Sequence, residues 1–264
     1  MGHTLLGNLP RTRKWRDVVE LVAAGANVSQ VANATIRAAE AAFSFVQNDV
    51  GYNQAVWLMT QLGLAGNQDK PLDYLRSQGI DIPANTSLPG ITVAITEALD
   101  NHVAANGGHS GLGQIAQRAL VDAVIQNLEP KLQQQSMFNM QHDDTVNALA
   151  ELRKPDKFGQ LSRTFFARLT DDSMNYFLSR VLAGNLGEGQ RFATMNQMGQ
   201  FEQALTTHCR EASAIVEQFS NEWFSKHRYE EQGNISRESA QGFASWGLKK
   251  MMDELRAGAK TDGQ

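Results

Sequence analysis

Apolar residues along this chain recur at steps of three and four. Nowhere do they show the strict alternation of β-branched and aromatic side chains that marks a strand. The pattern predicts an all-α protein, a multi-helix bundle. A first helix is predicted from about Arg13 to Ala24, with Trp15, Val18, Val19 and Val22 on one face. A second starts near Ser29, a good N-cap, and turns Val31, Ala34, Ala38, Ala42, Phe45 and Val46 inward. A third covers about Tyr52–Leu64. Asp69 and Pro71 open a short fourth helix that stops at Gly79. The turn-rich Gly79–Gly90 reads as a linker, and a fifth helix fills about Ile91–Ala105.

Asn106–Gly113 is a glycine-rich joint, with Ser110 placed to cap the next helix, about Leu112–Asn127, ahead of Pro130. Two helices with acidic starts follow, Asp143–Leu152 and Asp171–Ala183, with Gln160–Arg168 between them. From Phe192 to Glu231 there is no proline and only Gly199, so a single helix about 60 Å long is predicted. Its apolar marks are Met198, Phe201, Leu205, Ala212, Ile215 and Phe219, a heptad-like seam with His208 as the missing tooth. A last helix from Ser236 to about residue 256 would pair antiparallel with it. The chain divides on this reading into two helical lobes, 1–135 and 136–264.

Composition sharpens this picture through charge. The 264 residues carry a formal net charge of -4, which lacks the basic excess of a protein that coats nucleic acid. Residues 20–130 hold 4 basic and 10 acidic side chains, about half the usual charged share. A helix face in water normally carries charge, so charge-poor helices predict faces covered by protein. Phe45, Trp57, Leu58, Phe201 and Trp223 are candidate anchors of such an interface; the same residues would also suit a core. The single cysteine, Cys209, excludes an internal disulfide and favours a reducing, cytoplasmic setting. Met1–Arg16 has no apolar run like that of a signal peptide, and no membrane span is predicted.

Candidate chemistry is sparse. The joint Gly107-Gly108-His109-Ser110-Gly111-Leu112-Gly113 fails as a nucleophile elbow, because Leu112 stands where a glycine is needed and a helix precedes it. It fails as a phosphate loop because Gln114 replaces the lysine. A capped helix–helix turn is the simpler assignment. Asp143-Asp144 and Asp171-Asp172 each begin a D-D-x-x-N run, and carboxylates on one helix face suit a hard cation such as Mg²⁺. If they converged, the chain would be a metal-dependent enzyme acting on a diphosphate or nucleotide; acidic residues also simply offset a helix dipole. No histidine pair has metal-ligand spacing, and Cys209 reads as an inert thiol.

Arg11, Arg13, Lys14 and Arg16 flank Trp15, a pattern that can grip single-stranded nucleic acid. The aromatic stretch around Phe165, Phe166, Tyr176 and Phe177 reads as core. Its embedded Arg163, Arg168 and Arg180 would either pair with Asp171 and Asp172 or line a groove. No cofactor is expected. The favoured expectation is a non-catalytic interaction or scaffold subunit that associates with itself or with a protein partner. The metal enzyme and the nucleic-acid module stand as alternatives.

Overall fold

The computed structural model describes residues 13–44, 46–84, 86–136 and 142–261. Among the described residues the protein is all-α, a packed helical bundle. In order the helices are α1 (Arg13–Ala23), α2 (Val28–Ser44), α3 (Val50–Ala65), α4 (Pro71–Ser77), α5 (Leu88–Ala105) and α6 (Gly111–Ser136). They continue with α7 (His142–Ala150), α8 (Pro155–Gly184), α9 (Met195–Ala212), α10 (Ala214–Glu230) and α11 (Arg237–Thr261). Among the described residues the only β pairing is an isolated bridge between Leu186 and Phe192.

α3 is the axis of the bundle. It contains no charged residue, and every residue from Gly51 to Ala65 except Asn53 is buried. A helix that is apolar all round belongs in an interior, and α5, α6 and α11 pack around this one. Two of its polar side chains find partners inside: the Tyr52 hydroxyl donates to the Ala244 carbonyl at 2.6 Å, and Gln61 accepts from the Tyr74 hydroxyl at 2.6 Å. The charge-poor stretch of sequence thus finds its cover at α3 in the chain itself.

α8 is the second spine, 30 residues long, or about 45 Å at helical rise. Phe158 and Phe166 on α8, Trp223 and Phe224 on α10 and Phe243 on α11 form a knot of rings. Phe158 stacks on Phe224 at 4.2 Å, and Trp223 on Phe243 at 4.4 Å. Such pairs add about 0.5–1.5 kcal/mol each beyond the area they bury. Phe219 on α10 meets both Phe243 and Lys250 of α11, while Trp223, further along α10, meets Phe243. The two helices therefore run antiparallel, as the sequence predicts. One cluster of buried residues extends across position 135, from Tyr52, Leu58 and Leu120 to Phe165, Phe224 and Phe243.

Several boundaries differ from the pattern-based expectation. α2 is capped by Asn27, not Ser29: the Asn27 side chain accepts from the Gln30 amide, and the Gln30 side chain accepts from the Asn27 amide. α6 runs through Pro130, where Pro130 and Gln126 are both exposed, so the carbonyl that lacks its helical donor sits on a wet face. The predicted break before Asp171 does not exist; no proline or glycine interrupts Gln160–Ala183, and α8 is continuous there. The single helix predicted over 192–231 is two, broken at Ser213. There the Arg210 carbonyl accepts from the Ser213 hydroxyl at 2.7 Å and from Arg163 of α8 at 3.3 Å. A serine that bonds back into its own turn competes with the helical ladder.

The glycine-rich joint is the helix–helix turn. Gly107 and Gly108 take positive φ, and the Ser110 hydroxyl accepts from the Gly113 amide at 2.8 Å. Just beyond, α6 crosses α3 glycine on glycine. A Cβ on Gly51 would lie 2.5 Å from the Gly113 Cα, closer than real Cβ contacts come.

Candidate functional site

The break at Ser213 opens a polar cleft of about 490 Å³ between α6, α8, α9 and the start of α10. Its charged walls are Arg163, Arg168 and Asp171 on α8, Arg210 on α9 and Glu217 on α10. These positions are spread over fifty-odd residues, so no local motif marks them; only the helix crossings bring them together. Arg163 and Arg168 do line a groove, one of the two options their sequence setting allows.

Each cation in the cleft is held differently. Arg163 is committed to Glu217 at 2.9 Å. Arg168 lies 3.6 Å from Asp122 of α6, a loose pair with both side chains partly exposed, worth little in water. Arg210 is exposed, and its guanidinium has no ion-pair or hydrogen-bond partner among the described residues. Asp171 is buried at 4% exposure. It accepts from the Thr206 hydroxyl at 3.1 Å and from the Asn175 amide at 3.0 Å. Burial pushes its carboxyl above the usual range; Thr206 pulls it back, and Asp172 pushes it up again. Asp172 is raised too, by burial first, with Arg118 and Arg168 opposing.

The two acidic pairs do not behave alike. Asp171 and Asp172 sit in the middle of α8 and start no helix, which removes the dipole rationale for them. Asp144 lies on α7, which packs against α6, whereas Asp172 lies on α8, near enough to feel the charges of Arg118 and Asp122. The Asp143 side chain lies outside the described residues. Among the described residues no three His, Cys, Asp or Glu side chains gather in a way that could hold a metal ion.

The basic N-terminal pattern is also resolved in part. Arg11 lies outside the described residues, and Arg13, Lys14 and Arg16 are exposed on α1. Trp15 is not free to stack on a base: it is 7% exposed and lies against Phe177 at 6.0 Å. Lys14 reaches a shallow hollow with Arg37, but Asp17 shares it. Of the interface anchors, Phe45 lies outside the described residues. Trp57, Leu58, Phe201 and Trp223 are between 0% and 8% exposed, packed against other elements of this chain. They hold its core together and leave little surface for a second molecule. Cys209 is buried with its thiol pushed up by burial, and its sulfur is 3.9 Å from that of Met174, as expected of an inert thiol.

No family model, curated protein or solved structure matches this chain. Among the described residues no helix is long and apolar enough to cross a membrane.

Proposed function

We propose that the protein is a non-catalytic interaction subunit that receives an acidic segment of a partner protein in the cleft beside Ser213. The observation that supports this reading is Arg210, an uncommitted guanidinium at the rim of a hollow that also holds Arg163 and Arg168. Arginine forks pair carboxylates with two parallel hydrogen bonds. The amides of Gln126, Asn127 and Gln160 and the hydroxyl of Thr164 add donors and acceptors suited to a peptide backbone. Among the described residues that line the cleft only Ala167 is apolar, so recognition on this face rests on charge and hydrogen bonding.

Titration of a labelled hexaglutamate peptide, followed by fluorescence anisotropy at low salt, tests the proposal. Binding that weakens as salt rises is expected, with a loss of about two- to fivefold in Arg210→Glu, since an exposed charge contact is worth about 0.5–1 kcal/mol. Absence of binding by the folded wild type at low salt, or unchanged binding by R210E, overturns it.

A further inference from the structure

A second hollow, of about 400 Å³, lies where α3, α5 and α11 meet, remote in sequence from the Ser213 cleft. Its charge pattern is different. Arg237 and His102 both line it, and among the described residues no aspartate or glutamate does. Arg237, the first residue of α11, donates to the Gln54 side chain at 2.8 Å, and its guanidinium carbon lies 4.4 Å from the centre of the Trp57 ring. It has no carboxylate partner among the described residues. Stacking and one amide fix the plane of the fork without neutralising it. His102 stands near enough to feel it: burial first, then the charge of Arg237, lowers the pKa of the imidazole.

The Trp57 ring that carries the stack is 8% exposed, so the platform under Arg237 is fixed in the core. The hollow brings together a cation and an imidazole, and among the described residues no acidic group lines it to meet them.

We infer that this pocket binds the oxyanion of a small organic molecule, a carboxylate or a phosphate, with Arg237 and His102 as its donors. The planar fork of Arg237 suits two oxygens of one group. The volume is that of a small-ligand site. The Gln54 amide holds Arg237 in place, so the site is formed before the ligand arrives and little ordering is needed on binding.

Isothermal titration of the full chain with inorganic phosphate, and separately with succinate, tests this at an ionic strength held constant with chloride. Saturable binding of at least one is expected; phosphate alone assigns a phosphate ester as the natural ligand type, and succinate alone a carboxylic acid. Arg237→Gln should weaken binding at least about tenfold, and His102→Gln about threefold. Arg210→Glu, in the other cleft, should leave it unchanged. If R237Q does not fold, H102Q carries the test. Failure of both anions to bind the folded wild type, or wild-type affinity in a folded R237Q or H102Q, overturns the assignment.

Discussion

Asp171 is the residue at which burial and charge are most closely opposed. Its folded pKa lies above the value in the unfolded chain because desolvation outweighs the hydrogen bonds from Thr206 and Asn175. The folded state therefore holds this proton more tightly, so the stability it contributes is present in acid and lost as pH rises through the folded pKa. Asp171→Asn removes that titration. The melting temperature of the wild type minus that of D171N is expected to fall between about pH 3 and about pH 7, measured by calorimetry across that range. A difference that rises with pH would show that the hydrogen bonds dominate. Tyr52→Phe tests a neutral group of the interior. It removes the hydroxyl that bonds the Ala244 carbonyl and should cost about 1 kcal/mol in a denaturant titration.

Glycines at helix crossings show what the elements require of one another. Gly51→Ala pushes a methyl into the backbone of Gly113, and a loss of about 1–3 kcal/mol is expected from overpacking. Gly199, inside α9, has nothing within 4 Å of where its Cβ would be, so Gly199→Ala should stabilise by about 0.5–1 kcal/mol through helix propensity alone. Chemical denaturation of the pair separates the two roles of one residue type. The same contrast explains what could be read from the sequence. The α5–α6 turn was legible because Gly107, Gly108 and Ser110 carry their instruction locally. The break at Ser213 was not, since part of it comes from Arg163, 47 residues away, bonding the Arg210 carbonyl. The cleft depends on that break, so its arginines were visible in the sequence but their convergence was not.

For the molecule as a whole, the all-α class followed from periodicity, whereas the meaning of the charge-poor segment depended on tertiary context. A helix without charges is covered by something; at α3 the cover is α5, α6 and α11. The buried residues on either side of position 135 belong to one cluster, and we expect a single cooperative transition in differential scanning calorimetry. Two separable transitions would instead establish two lobes that melt independently.

The burial of α3 also has a consequence for biosynthesis. Tyr52 and the carbonyl it bonds lie 192 residues apart. At ribosomal speeds of about 5–20 residues per second, that distance amounts to roughly 10–40 s of translation. For that time the greasiest rod of the bundle has been made while the flank that α11 will occupy stands open, which is the interval in which a nascent chain most needs a chaperone.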